Sequence, residues 1–150
     1  MKTINQAGID LIKKYEGFRA SPYLCPAGIP TIGYGATYYP DGRKVSMKDK
    51  AITEVEAQNM LIDHLKDFVA HVNRYTAATK LTDNQFAALV SFAYNVGVGA
   101  LQKSTLLKKV NKNPLDTSIP SEFKRWAFAN GKVLQGLLKR RTEEAKLYLS

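Results

Sequence analysis

One carboxyl group in this sequence stands where its hold on a proton could matter. Glu16 ends a stretch in which Ile4, Leu11 and Tyr15 recur along one helical face, and Gly17 follows at once. A glycine there supplies the left-handed residue that closes many helices, so Glu16 is expected in a last helical turn. The negative end of the helix macrodipole disfavours an ionised carboxyl, and apolar neighbours such as Tyr15 and Phe18 push the same way by desolvation. A carboxyl that keeps its proton near neutral pH can act as a general acid and protonate a glycosidic oxygen. Position alone leaves the plainer reading open, a surface Glu in the last turn.

Other chemistries lack their residues. His64 and His71 lie seven apart with no nearby Cys and no HExxH arrangement, so no metal site and no cofactor is expected. No GxSxG elbow or phosphate-binding loop occurs, and Gly33-Tyr34-Gly35 lacks the third glycine and following helix of a dinucleotide fingerprint. Cys25 is the single cysteine, so no intrachain disulfide can form, which fits synthesis in a reducing cytoplasm.

The elements that must hold Glu16 follow from pattern. Thr3 with Gln6 has capping-box spacing for the first helix. Residues 18–46 are punctuated by Pro and Gly, with the run Thr31-Ile32-Gly33-Tyr34-Gly35 and the turn signal Pro40-Asp41-Gly42, and predict a small antiparallel sheet of two or three strands. Thr53 with Glu56 opens a second helix, carrying Leu61, Leu65, Phe68 and Val72, over about residues 53–78. Thr82 with Gln85 opens a third, ending near Gly97, and shorter helices are expected around 104–112, 120–129 and 136–149. The fold class is therefore α+β, mainly helical: a small lobe at about 15–55, a linking helix, and an all-helical lobe at about 80–150 packed with the N-terminal helix.

At 150 residues and 45% hydrophobic content, one domain with a real core is expected. The net charge of +9 is uneven, with eight basic against four acidic residues in 1–50, three against five in 51–100, and eleven against four in 101–150. A basic last third suits an extended anionic partner such as a bacterial envelope, although a merely solvated surface fits the charge as well. No apolar run has the length of a signal-peptide core or a membrane span, so neither export by its own leader nor stable membrane insertion is expected.

Glu16, Cys25 and Thr31 are separated by eight and five residues, and Thr31 begins the Gly-rich run. In this spacing the chain resembles the phage-type lysozymes of glycoside hydrolase family 24, whose site follows Glu, eight residues, Asp or Cys, five residues, Thr. The stretch from Leu81 to Gly97, Ser104-Thr105-Leu106-Leu107, Trp126, Gly131 and the segment from Gly136 to Glu144 also look like that family. The resemblance runs from about residue 3 to the last helix.

It implies a lysozyme-like, two-lobed fold and an endolysin that hydrolyses the β-1,4 bond between N-acetylmuramic acid and N-acetylglucosamine in peptidoglycan, with inversion. Glu16 would be the acid, and Thr31 would hold the attacking water together with residue 25. At that position the roles stay open. A thiol with an unperturbed pKa of about 8.5 becomes a base if lowered, holds water otherwise, or is simply packed. Gly33, Tyr34, Asn95 and Arg141 are candidates for the substrate cleft, with Arg140 or Arg141 either orienting Glu16 or lying on a solvated face. Asn95 alternatively caps its helix. Phe92 and Trp126 are expected in the core. The expected protein is a monomer made in a host cytoplasm and released to the wall through a membrane lesion, with no nucleic-acid partner. Competing readings are a lytic transglycosylase or chitinase and a non-catalytic cationic envelope-binding module.

Overall fold

A computed structural model describes all 150 residues. The chain forms two compact units, Ile12–Lys66 and Met1–Leu11 with Asp67–Ser150, and the divisions fall inside the first two helices. Helix α1 spans Gln6–Glu16 and α2 spans Glu54–Tyr75. The cap of α1 corrects the sequence expectation. Asn5, rather than Thr3, accepts the Gly8 amide at 3.0 Å through Oδ1, and the helix begins at Gln6. At α2 the expected box is present: the Glu56 amide donates to Thr53 Oγ1 and the Thr53 amide donates to Glu56 Oε1, both at 3.1 Å.

The unit Ile12–Lys66 is built around an antiparallel pair, β1 (Arg19–Leu24) and β2 (Pro30–Gly33), with an irregular register between Arg19 and Tyr23. The chain after β2 turns back tightly, and Ile32 and Ala36 exchange both backbone hydrogen bonds at 2.9 Å. Beyond it only one further bridge forms, Tyr38 with Lys44. Ile32, Ala36, Val45 and Met60 make a small buried core, with Tyr39 and Ile52 packed on it. Gly33 is needed for close packing, since a Cβ there would lie 3.1 Å from the Ala57 Cβ on α2.

The other unit holds most of the apolar core. It contains α3 (Asp83–Val96), α4 (Val98–Lys103), α5 (Thr105–Lys112), α6 (Ile119–Lys124), a hairpin of β3 (Phe128–Ala129) and β4 (Lys132–Val133), and α7 (Gln135–Leu149). Helix α3 is buried from Gln85 to Ala93 and opens with the expected Thr82–Gln85 capping box. Phe92 meets Phe123 and Trp126 edge to face, at 5.7 and 5.5 Å between ring centres, a favoured aromatic geometry. Gly8 admits Ala87 so closely that a Cβ on it would lie 2.8 Å from the Ala87 Cβ.

Two expectations for this region are corrected. The segment is not all helical: the helix expected over 120–129 stops at Lys124, and Asn130 (φ 53°) with Gly131 (φ 76°) turns a two-residue hairpin. Two successive left-handed residues match the twist of the flanking strands. Helix α4, between Gly97 and Ser104, was also not anticipated. No helix is long and apolar enough to cross a membrane.

Candidate active site

Glu16 is the last residue of α1, and the structure terminates the helix as the sequence suggests. Gly17 adopts φ 73° and its amide donates to the Lys13 carbonyl at 3.0 Å. The half-buried Glu16 side chain lies against the turn that follows β2. A Cβ placed on Gly35 would be 3.1 Å from Glu16 Oε1, and Gly35 itself has φ 84°. Glycine is favoured at 35 by its backbone conformation, and a side chain there would also shift the Glu16 carboxyl by a few tenths of an ångström.

Lys13, one turn before Glu16, fixes this corner. Its Nζ lies 2.8 Å from Glu54 Oε1 and donates to Gln58 Oε1 at 2.7 Å. The Tyr34 hydroxyl donates to the same Glu54 oxygen at 2.7 Å. Lys13 Nζ also stands 5.5 Å from the centre of the Tyr34 ring, and Phe18 packs on the same ring at 5.7 Å between ring centres. Hydrogen bonding from Lys13, then from Tyr34, holds the Glu54 carboxyl below its ordinary pKa. Burial, then the Glu54 hydrogen bond, pushes the Tyr34 phenol up. Tyr34 is only 6% exposed, so the side chain expected to face substrate is instead committed to this network.

Cys25 and Thr31 are brought together at the β1–β2 connection. The Cys25 amide donates to Ile29 O at 3.1 Å and the Gly28 amide returns to Cys25 O at 2.8 Å, forming a compact turn. Thr31, buried at 3% exposure, donates its hydroxyl to Ile29 O at 2.8 Å. That leaves the oxygen's lone pairs to accept. The Cys25 thiol is half-buried and free of any disulfide. Backbone hydrogen bonding from Ile29 holds it below its ordinary pKa against a smaller upward push from burial, with the Ala27 backbone and the Thr31 hydroxyl adding to the lowering. The lowering thus comes from local hydrogen bonds.

Asn95 and Arg141 belong to the other unit and are paired there. The Arg141 guanidinium donates through Nη2 to Asn95 Oδ1. Asn95 is exposed, whereas Arg141 and Glu144 are both fully buried. Arg141 Nε stands 3.0 Å from Glu144 Oε1, near enough for an ion pair but too bent for a hydrogen bond. Ser91 donates to Glu144 Oε2 at 2.6 Å, and the Arg141 guanidinium lies 5.1 Å from the Phe92 ring centre. Burial pushes the Glu144 carboxyl up, and burial likewise lowers Arg141. A fully buried guanidinium does not itself offer a surface to a sugar. Asn95 is the part of this pair that reaches solvent, and its carbonyl oxygen is spent on Arg141 rather than on capping.

No group of three or more His, Cys, Asp or Glu side chains converges as a metal site would require. His64 packs on Tyr38 with ring centres 4.7 Å apart and the rings tilted by 51°, and His71 Nδ1 lies 2.7 Å from Asp67 O. Sequence reasoning missed Lys13, Glu54 and Glu144. Only the start of α2 beside Glu54 was marked, by its capping box; the i, i+3 spacing of Arg141 and Glu144 was a local signal left unread, and nothing in local spacing pairs Lys13 with Glu54 or Ser91 with Glu144.

The carboxyl at a helix end, set against a glycine-rich hairpin that carries Cys25 and Thr31, places the chain among α+β proteins of lysozyme architecture. Comparison with known proteins is specific: residues 13–144 match phage lysozyme, and the chain belongs to that family. It is 43% identical over 152 residues to the endolysin of Bacillus phage PZA, a match that covers 98% of this chain and 55% of that protein. The chain thus spans about half the length of the curated relatives it matches first. Among solved structures it resembles the endolysin from Escherichia coli O157:H7 phage FAHEc1, at a TM-score of 0.89, 37% identity, and coverage of 99% of this chain and 94% of that one. It also resembles the muramidase domain of SpmX from Asticaccaulis excentricus, at a TM-score of 0.85, 35% identity, and coverage of 100% and 99%.

Proposed function

We propose that the chain is a muramidase of the endolysin type, which hydrolyses the β-1,4 bond between N-acetylmuramic acid and N-acetylglucosamine in bacterial peptidoglycan. The observation that carries the reading is the placement of Glu16, its carboxylate held against Gly35 within the same compact unit as the Cys25–Thr31 pair. Glu16 donates its proton to the leaving glycosidic oxygen. A water on the opposite face of the sugar attacks the anomeric carbon, with Thr31 Oγ1 accepting one of its hydrogen bonds. Cys25, its thiol pKa lowered by the turn around it, accepts the water's proton as thiolate. Attack from the opposite face inverts the anomeric centre. The protein acts as a monomer, and its basic last third draws it to the anionic envelope. Delivery to the wall is through a membrane lesion made by a separate phage protein.

Product analysis tests the reaction class. Digestion of purified peptidoglycan should release muropeptides with ordinary reducing ends, heavier by one water than 1,6-anhydro products, and the first-formed anomer should be α. Anhydro ends would identify a lytic transglycosylase, and a first-formed β anomer would remove the inverting mechanism. Replacing Cys25 tests the base. Cys25→Asp should keep substantial activity while moving the acid limb of the kcat/KM profile to lower pH, and Cys25→Ala should lose most of it. Wild-type activity in Cys25→Ala would reduce the thiol to a packing residue.

A further inference from the structure

The β3–β4 hairpin is the least explained surface of the protein. Its register pairs Phe128 with Val133 across the strands, and both remain exposed, at 57% and 43%. Leu134, whose amide donates to Ala127 O at 2.9 Å, is 45% exposed. Scattered single hydrophobics on a surface need no explanation. Two on one short hairpin and a third directly after it are different. Directly opposed apolar residues on a strand pair normally earn their place by packing, and here they form no part of the buried core. The Asn130-Gly131 turn makes the projection a hairpin of defined shape rather than a loose loop.

The charge around it is one-sided. From Phe123 to Thr142 the chain carries six basic residues and no acidic one. Two of the six, Arg140 and Arg141, are buried; Lys124, Arg125, Lys132 and Lys139 are exposed. Of these four, Arg125 stands 3.6 Å from Glu122, a loose pair. The nearest acidic residue before the stretch, Glu122, is buried and faces Lys109 at 2.7 Å. An exposed apolar edge beside four exposed cations, of which Arg125 is loosely paired and which are followed by the next acidic residue at Glu143, is complementary to a surface that is apolar beneath and anionic on top.

We propose that the β3–β4 hairpin is a docking element for an anionic lipid surface: Phe128, Val133 and Leu134 enter the head-group region, and Lys124, Arg125, Lys132 and Lys139 meet the phosphates. The attachment is peripheral and reversible, since three apolar side chains are far short of a span. It gives the protein a membrane-side position independent of any glycan it cleaves, and it does not rest on the muramidase reading.

The test is co-sedimentation of the full chain with vesicles of phosphatidylglycerol and phosphatidylethanolamine, and separately of phosphatidylcholine alone. Trp126, the single tryptophan and adjacent to the hairpin, provides a fluorescence signal of the same event. Binding is expected to the anionic vesicles and not to phosphatidylcholine, and to fall as salt rises. Phe128→Ser with Val133→Ser should weaken it roughly tenfold or more, with the melting temperature essentially unchanged because both side chains are exposed. Lys124→Gln with Lys132→Gln and Lys139→Gln should weaken it through charge alone. No binding by the wild type, or equal binding by the serine variant, overturns the proposal. A serine variant that binds vesicles normally but loses turnover on a short soluble glycan would identify the hairpin as a sugar contact instead.

Discussion

Two ionic networks, one in each compact unit, solve different problems with similar residues. In the helical unit, Glu144, Arg141 and Ser91 are wholly buried, so the pair is removed from water and depends on its partners for compensation. In the smaller unit, the ion pair of Lys13 and Glu54 remains in reach of solvent, with 47% of the Glu54 side chain exposed, and only Tyr34 beneath it is buried. A solvated pair contributes little to stability. Its value is positional: Lys13 is one turn from Glu16, and Tyr34 precedes Gly35. The buried network is a stability element, and the solvated one is a geometry element beside the proposed acid, Glu16.

The contrast breaks first at Glu144. Removing one partner of a buried pair leaves an uncompensated charge, so Glu144→Ala should destabilise the protein by about 3–5 kcal/mol, measured by urea or thermal unfolding. A loss as small as that of a surface substitution would mean that Arg141 is relieved by water or by Asn95 alone. Gly35→Ala comes next, with the opposite profile. A left-handed alanine costs about 1–2 kcal/mol, while its methyl group displaces Glu16, so lytic activity should fall far more than melting temperature. An active Gly35→Ala would show that the contact with the Glu16 carboxylate is incidental.

The smallest stability effect is expected from Glu54→Gln, no larger than that of an ordinary surface substitution because solvent screens the pair, and pH separates the networks further. Glu54 has a lowered pKa in the fold, so its contribution is present above the unfolded value and is lost as pH falls through the folded one. Glu144 has a raised pKa, so its contribution is present below the unfolded value and is lost as pH rises through the folded one. Melting curves against pH should therefore show Glu54→Gln flattening the acid side of the profile, below about pH 4. Glu144→Gln should flatten the side above it. Both variants altering the same side would contradict the assignment.

The parts of this architecture legible in sequence are those written in local rules. The Thr53–Glu56 and Thr82–Gln85 boxes mark helix starts that the structure reproduces, and Gly17 marks where α1 ends. The β3–β4 hairpin was legible too, since Asn130-Gly131 between Phe128-Ala129 and Lys132-Val133 is a strong turn signal. It was overridden by reading the preceding apolar residues as a longer helix. At α1, Thr3–Gln6 satisfied the spacing of a capping box, but Asn5 stands closer to the first turn and its short amide takes the cap. The candidate site divides in the same way. Glu16, Cys25 and Thr31 lie within sixteen residues and could be read from spacing. The roles of Lys13 and Glu54 depend on each other across two elements, Glu144 pairs with Arg141 on its own helix but is completed by Ser91 on α3, and Tyr34 looked available only because its hydroxyl's partner was unknown.

The most direct test of the central claim is lysis of purified cell walls by Glu16→Gln beside the wild type, with thermal melting of both. Gln keeps the size of the side chain but carries no transferable acid proton. A folded variant with activity reduced by about 10²–10⁴-fold is expected, the usual worth of general acid catalysis. A folded Glu16→Gln that clears cell walls at close to the wild-type rate would contradict it.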